Sequence, residues 1–349
     1  MTRLALVMIV RDEAARIARC LDSARALVDD IVVLDTGSRD ATAAIARAHG
    51  ARVFSFAWCD DFAAARNAAL DHSDADWNLV LDGDEWLQAD ASRDALASAF
   101  APAFVGAPCI GLLPVSSSFD LGDRVESSVL WIPRLLPRGV RYTGRIHEQP
   151  DAALPRQRIA LPVQHDGYRL EALERKHGRN DALLRRALLD APGDPYLLYQ
   201  LGKNDEVYGA FAPAVDHYLA ALDASGPDAP YRHDLVVRTL YCLKQSGRHA
   251  QAMQLAEAEM ARWNDSPDFY FVLGDVLLDW AACEPGRAGT MVPLVESCWQ
   301  RCLALGERPD LGGVTGRGSY LAAHNLVVLY ENLGMTQQAE RYRPLAMRS

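Results

Sequence analysis

The chain predicts a doubly wound α/β domain with a mostly parallel sheet, followed by an all-α domain. Three observations carry this. Short apolar runs alternate with helical stretches from residue 4 to residue 81. The polar clusters of that half fall at the ends of the apolar runs. From about Arg179 onward only helical periodicity remains.

In order, residues 4–10 read as a strand, 14–27 as a helix, 31–34 as a strand and 41–48 as a helix. Residues 52–56 follow as a strand, 62–70 as a helix and 77–81 as a strand. Continuous apolar runs such as Ile31-Val32-Val33-Leu34 fit strands covered on both faces. After Trp86 the alternation loosens, with strands expected at 110–115, 129–132 and 159–163 among Pro and Gly residues. The expected domains are 1–178 and 179–349.

The second half carries a weak repeat. Leu201-Gly202, Ala214, Tyr218 and Ala221 match the spacing of a tetratricopeptide repeat. Gly247, Ala252 and Ala256 echo it, and Leu273-Gly274 opens a third unit that an insertion at 285–290 interrupts. Leu326, Tyr330, Gly334 and Ala339 close a fourth. Small residues there let paired helices approach closely. An ordinary helical bundle is the competing architecture.

Composition narrows the function. Half of the 349 residues are hydrophobic, so the chain folds around cores rather than staying disordered. A formal net charge of −10 argues against general nucleic-acid binding. The seven cysteines are scattered and form no CxxC pair, which points away from a disulfide framework or a structural zinc site and towards a reducing, cytoplasmic compartment. The apolar run 4–10 is too short to span a membrane and leads into Arg11-Asp12-Glu13, so no transmembrane segment is expected.

In a doubly wound sheet, ligands bind beyond the carboxyl ends of the strands. Strand one ends in Val10-Arg11-Asp12-Glu13, strand two in Asp35-Thr36-Gly37-Ser38-Arg39-Asp40, and strand four in Asp82-Gly83-Asp84-Glu85. Helix capping by Ser38 or Asp40 explains part of this. Asp74-Ala75-Asp76 has the same D-x-D spacing as Asp82-Gly83-Asp84, but it precedes a strand and reads as a solvated turn. Asp82-Gly83-Asp84 follows one, with Gly83 leaving room for a ligand. Paired carboxylates there suit Mg²⁺ or Mn²⁺ bridging a diphosphate; the alternative is a charged turn. His147-Glu148 forms a second cluster, in which an imidazole could complete a metal site and a carboxylate could act as a base. The alternative is a surface turn ending in Gln149-Pro150.

Residues 6–86 resemble a family-2 glycosyltransferase of the GT-A fold. The likeness rests on the three strand ends above, on Asp60-Asp61-Phe62-Ala63-Ala64-Ala65-Arg66-Asn67, and on Gly144-Arg145-Ile146-His147-Glu148 and His165-Asp166-Gly167-Tyr168. The chain departs from the family pattern at Arg11-Asp12, where Lys-Asn is usual, at Arg39 where Thr is common, and at Gly83 where Ala is frequent. The resemblance implies an inverting hexosyltransferase using a UDP-sugar and a divalent metal, either Mg²⁺ or Mn²⁺. Val10, Arg11, Glu13, Asp35 and Ser38 would line the nucleotide pocket. Arg66, Asn67, Gly83 and Arg134 would lie beside the donor, with Arg138 and Lys176 as further phosphate contacts. His165 and Tyr168 would close over it. Asp84 and His147 would hold the metal, Asp82 would touch the donor's ribose or the metal, and Glu148 would be the general base. The relatives of this kind modify peptide side chains, including cysteine, or lipooligosaccharide cores. The repeats therefore suggest a peptide or protein acceptor, a saccharide being the alternative. The repeats could equally build a homodimer. A non-catalytic repeat scaffold would be expected to lose the acidic triplet or the His-Glu pair, and this chain keeps both.

Overall fold

The structure is a computed structural model and describes residues 2–88, 108–121, 124–168 and 178–347. It divides into two compact units, Met1–Leu183 and Leu184–Ser349.

The first unit begins as the sequence pattern expects. Strands β1 (Leu4–Val10), β2 (Asp30–Asp35), β3 (Arg52–Ser55) and β4 (Trp77–Val80) alternate with helices α1 (Ile17–Ala24), α2 (Thr42–Ala48) and α3 (Phe62–Asp71). These strands are all parallel, β1 lying between β2 and β4, and β3 outside β2. Their side chains are apolar on both faces because cores lie on both sides. One contains Leu6, Met8, Ile17, Leu21 and Val33; the other contains Val7, Val32, Ala69 and Leu70. Helix α1 is shorter than the 14–27 expected. Glu13 O accepts from both Arg16 N and Ile17 N at 3.0 and 2.9 Å, so residues 13–16 close a turn before the helix starts.

Beyond residue 84 the sheet becomes mixed. Strand β5 (Glu85–Leu87) is followed by a long antiparallel hairpin of β6 (Ile110–Leu121) and β7 (Arg124–Pro137). Strands β8 (Tyr142–Thr143) and β9 (Gln149–Pro150) form a small separate ribbon. Strand β10 (Arg156–Arg158) pairs with β6, and β11 (Val163–Tyr168) lies between β6 and β5. The path of the main sheet is β3-β2-β1-β4-β7-β6-β11-β5. The strand expected at 159–163 is not formed: the run falls between β10 and β11, where Pro162 lacks the N–H a strand interior needs. The runs 110–115 and 129–132 are parts of the much longer hairpin strands.

The second unit is all helix apart from short turns and a two-residue bridge. It contains the end of α4 (Arg179–Asp190), then α5 (Pro195–Val207), α6 (Phe211–Ala224), α7 (Arg232–Gln245), α8 (His249–Glu259), α9 (Pro267–Cys283), α10 (Ala288–Leu305), α11 (Tyr320–Asn332) and α12 (Thr336–Tyr342). The repeat residues do the work that their spacing implies. Ala214, Tyr218, Ala221, Ala252, Ala256, Leu326, Tyr330 and Ala339 all enter one core, and Leu201 is buried as well. A β-carbon on Gly202 would sit 2.5 Å from the Tyr218 ring, and one on Gly274 would sit 2.6 Å from Trp299 Nε1. These two glycines are what lets α5 meet α6 and α9 meet α10. The insertion expected at 285–290 is a short 3₁₀ turn, Pro285–Arg287, leading directly into α10.

Candidate active site

The register of the parallel strands brings their carboxyl ends together. Val10 lies opposite Asp35, and Val7 opposite Val80, so Asp82 to Glu85 emerge beside the loops after β1 and β2. Those two loops are laced together. Asp12, at φ +54°, donates its N–H to Ser38 Oγ at 3.0 Å, and its Oδ1 accepts from Arg39 N at 2.7 Å. Glu13 N donates to Thr42 Oγ1, and Ala14 N to Asp40 Oδ2. Asp35 Oδ1 accepts from Gly37 N and Ser38 N at 3.2 and 2.9 Å, which shapes the second loop from within. Asp35 and Ser38 thus build this loop pair as well as border it. Arg11 lies exposed on it, its Nε 3.9 Å from Asp12 Oδ2.

Gly83 packs directly on Glu13: a β-carbon there would lie 2.8 Å from Glu13 Cγ. This close approach explains glycine where the family often has alanine, and it seats the acidic turn on the first loop.

At the centre, Asp82 lies between two buried arginines. Arg66 Nη2 donates to Asp82 Oδ1 at 2.6 Å, and Arg134 Nη2 to Oδ2 at 2.8 Å. Arg66 Nε also donates to Glu148 Oε1, and Arg134 Nη2 to Glu85 Oε1, both at 2.5 Å. Glu85 Oε2 in turn accepts from Asp82 N at 3.0 Å. The result is an alternating chain, Glu148–Arg66–Asp82–Arg134–Glu85, joining α3, β7, the acidic turn and the loop before β9. Burial alone would raise the Asp82 pKa, but Arg66 and Arg134 overcome it and hold this carboxyl far below the usual range. Burial pushes the Glu85 carboxyl upward, against the pull of Arg134.

Three polar atoms in this cluster are buried with no hydrogen-bond partner: Arg66 Nη1, Arg134 Nε and Tyr142 Oη. The Tyr142 ring lies 5.6 Å from the Arg66 guanidinium, and burial pushes its phenol up to about 12. A buried donor without a partner costs about 1–3 kcal/mol. Two guanidinium N–H groups left this way fit a site whose ligand is anionic.

Asp84 is buried. His165 Nε2 stands 3.5 Å from Asp84 Oδ2, while His165 Nδ1 pairs with Ser117 Oγ at 3.0 Å. Strand β11 delivers this histidine, placing it opposite both Glu85 and Ser117. An imidazole with one nitrogen on a carboxylate and the other fixed by a hydroxyl is oriented as a metal-ligating histidine is. His147, expected at the metal, lies in the loop between β8 and β9 at φ +51°. It is His165 that the structure sets against Asp84.

Other expected residues resolve differently. Asn67 gives both its amide atoms to Tyr142, Nδ2 to the carbonyl at 2.9 Å and Oδ1 from the N–H at 2.8 Å. It is a staple holding β8 to α3, in place of the donor contact expected from it. Arg138 lies at the opposite edge of the sheet, its Nη1 3.4 Å from Asp74 O, and so cannot reach the donor side. Asp74 and Asp76 sit at that same edge, bonded to Arg3 at 3.0 and 2.8 Å, consistent with a turn leading into a strand. The backbone of Tyr168 closes β11; its side chain, and the whole of Lys176, lie outside the described residues.

The sequence did not point to a neighbouring group. Asp166 meets Arg16 Nε at 3.3 Å and Arg19 Nη2 at 2.7 Å, and the Arg19 guanidinium lies 3.4 Å above the Trp86 ring. Of its members only Asp166 is marked in the sequence, within His165-Asp166-Gly167-Tyr168. Among the described residues, no helix is long and apolar enough to cross a membrane.

Comparison with known proteins places this geometry. Residues 5–110 match the family model described as Glycosyl transferase family 2. The chain is 32% identical over 260 residues to a TPR repeat-containing protein of Synechococcus elongatus, covering 71% of this chain and 63% of that one. It is 25% identical over 243 residues to the SPbeta prophage-derived glycosyltransferase SunS of Bacillus subtilis, covering 67% and 57%. The chain therefore spans somewhat less than two thirds of the length of these relatives. Among solved structures, it is similar to glucosyl-3-phosphoglycerate synthase from Mycobacterium tuberculosis in complex with Mn²⁺ and uridine-diphosphate-glucose. That match has a TM-score of 0.28, 24% identity and coverage of 33% of this chain and 44% of that one. A second is MamA, with a TM-score of 0.38, 14% identity and coverage of 51% and 92%. The match to glycosyltransferase family 2 thus falls on residues 5–110, which build the parallel strands of the mixed sheet, and a helical C-terminal region follows.

Proposed function

We propose that this chain transfers a hexose from a UDP-sugar to an acceptor side chain of a peptide or protein, with inversion at the anomeric carbon. The observation that carries this is the Arg66–Asp82–Arg134 cluster, with two buried, unpartnered guanidinium N–H groups at the carboxyl edge of a parallel sheet. The uridine would lie on the laced loops around Val10, Arg11, Glu13, Asp35 and Ser38, and the diphosphate against Arg66 and Arg134.

The donor set also suits a divalent cation. Asp84 offers carboxylate oxygen and His165 an oriented imidazole, a combination acceptable to Mn²⁺ or Mg²⁺. Asp82 is committed to two arginines, so Asp84 and His165 are the holding residues, with His147 next in the neighbouring loop. Such a cation neutralises charge on the departing diphosphate. The chain's own residues do the rest. The arginines orient the phosphates, Gly83 lets the acidic turn seat on Glu13, and Glu148 takes the acceptor's proton, fixed in place by Arg66.

The helical repeats support a peptide acceptor, since stacked hairpins present an extended surface suited to a chain segment. A cysteine thiol is the acceptor we favour among side chains, since it needs the least help to ionise. The decisive experiment measures UDP release from UDP-glucose, UDP-galactose and UDP-N-acetylglucosamine, with and without Mn²⁺. Candidate peptides are then inspected by mass spectrometry for an added hexose. No UDP release with any donor, in the presence of metal and of peptide or saccharide acceptors, overturns the proposal.

A further inference from the structure

The second unit contains a mixed cluster that sugar transfer does not use. His249, Asp279 and Cys283 each offer one ligand atom, and these atoms all lie within 4.8 Å of one another. We propose that these three side chains form a transition-metal site, with zinc as its natural occupant, separate from the hard-oxygen cation of the donor site.

The placement follows from the helices. Asp279 and Cys283 are four residues apart on α9, so they share one face, a single turn apart. His249 is the first residue of α8 and is buried, its ring parallel to that of Trp280 at 5.9 Å between centroids. Its Nε2 stands 2.6 Å from Asp279 Oδ2, which fixes the direction of the imidazole. The two ligands on α9 are freer: Cys283 is exposed and the Asp279 side chain is 47% exposed. One rigid ligand and two adjustable ones can close around an incoming ion.

The electrostatics favour a cation as well. Cys283 is the last residue of α9, where the carbonyl end of the helix dipole lies, and the last turn of that helix holds no basic residue. A nearby cation, Arg287, is already paired: Glu284 accepts from Arg287 Nε at 2.6 Å and from Trp280 Nε1 at 2.8 Å.

Imidazole nitrogen, carboxylate oxygen and thiolate sulfur together select zinc, or cobalt as its substitute, over Mg²⁺ or Mn²⁺. Three protein ligands leave a fourth position for water. Uptake is balanced simply. The His249 proton now shared between Nε2 and Asp279 moves to Nδ1, which frees Nε2 for the metal; Asp279 binds as carboxylate, and the Cys283 thiol releases one proton. Asp279 must draw back from its present contact, which its exposure allows.

The test uses the full chain, freed of metal with chelator and titrated with Zn²⁺ against a chromophoric competitor, and with Co²⁺ by absorbance. The expected result is one tight Zn²⁺ equivalent and a near-ultraviolet thiolate-to-cobalt band. Cys283→Ser should abolish the band and weaken that equivalent at least about 100-fold, beyond the roughly 10–100-fold typical of losing a group behind the ligands. Asp279→Asn should weaken it in the same direction. Neither position is in a core, so both variants should fold. Asp84→Ala should keep the band, which separates this site from the donor site. Equal Zn²⁺ affinity and an unchanged cobalt band in Cys283→Ser would overturn the proposal, as would the absence of any tight equivalent in the unaltered chain.

Discussion

Arg66 Nη2 lies 2.6 Å from Asp82 Oδ1, and through its Nε the same guanidinium holds Glu148. One side chain from α3 thus fixes both the acidic turn after β4 and the loop that carries the proposed base. Only 7% of the Arg66 side chain is exposed. Arg66→Ala strands the buried Glu148 carboxylate, while the partly exposed Asp82 keeps Arg134; removing one partner of a buried pair costs about 3–5 kcal/mol. Arg66→Lys keeps the charge but not the fork, so it should recover part of the stability and little of the donor affinity. Thermal unfolding and UDP calorimetry on both variants separate the two effects. Unchanged UDP binding in Arg66→Lys would count against a phosphate role.

Asp84→Ala is expected to abolish transfer while the chain stays folded. Asp84 follows a buried strand and faces His165 at 3.5 Å, so its loss removes the carboxylate we assign to the cation. Near-normal turnover by this variant in excess EDTA would remove the metal from the account.

His165→Ala and His147→Ala should differ. His165 is oriented by Ser117 and set against Asp84, so its removal should raise the Mn²⁺ concentration needed for half-maximal UDP release by about 10-fold or more. Loss of a group that orients a ligand already costs about 10–100-fold in affinity. His147→Ala should change it less. The opposite ranking would return the metal to His147.

The acidic triplet and the strands that deliver it are legible in the sequence alone. The triplet Asp82-Gly83-Asp84 stood out because a wholly apolar run delivers it to a sheet edge, whereas Asp74-Ala75-Asp76 precedes that run. The strands β1 to β4 were legible for the same reason, being continuous Val, Ile and Leu. What stayed hidden depends on distant pairing. Arg134 and Glu85 are 49 positions apart, and nothing local marks either as buried. The β6–β7 hairpin runs well beyond the expected 110–115 and 129–132, with Pro114 paired in register to Trp131 and a register shift between Gly111 and Leu112 beside Pro133. Asn67 looked like a ligand residue from its motif, yet its amide matches a strand edge 75 positions away.

In the second unit, Asp275 supplies a pH test of stability. Burial pushes its carboxyl up to about 6, against the pull of Lys244 and Arg317. The unfolded carboxyl titrates near 3.9. The folded state therefore holds this proton more tightly. The associated stability is complete below about pH 4 and is lost as pH rises through about 6, by up to about 3 kcal/mol. Asp275→Asn should remove that slope and raise the melting temperature at pH 7 to 8. Melting curves from pH 4 to 8 decide it; identical pH slopes in the two proteins would show that Asp275 is not held this way.

Glu148→Gln tests the proposed base with unusually little disturbance. The carboxylate now accepts from Arg66 Nε through Oε1, and a glutamine can present its carbonyl oxygen to the same N–H. The Arg66–Asp82 contact and the donor site should therefore survive, and UDP affinity should stay nearly unchanged. What the amide cannot do is take a proton. A positioned general base contributes typically about 10² to 10⁴ in rate, so turnover should fall by about that factor. With a thiol acceptor the deficit should shrink at high pH, because a thiol of pKa about 8.5 ionises without help. With a hydroxyl acceptor it should persist. Comparing kcat and KM of both proteins from pH 6 to 9.5 thus reports on the base and on the acceptor together. If Glu148→Gln turns over like the parent at saturating acceptor, another carboxylate must serve. The nearest alternatives are poorly placed for it. Glu85 has Oε1 on Arg134 and Oε2 on Asp82 N, and Asp166 is held by Arg16 and Arg19.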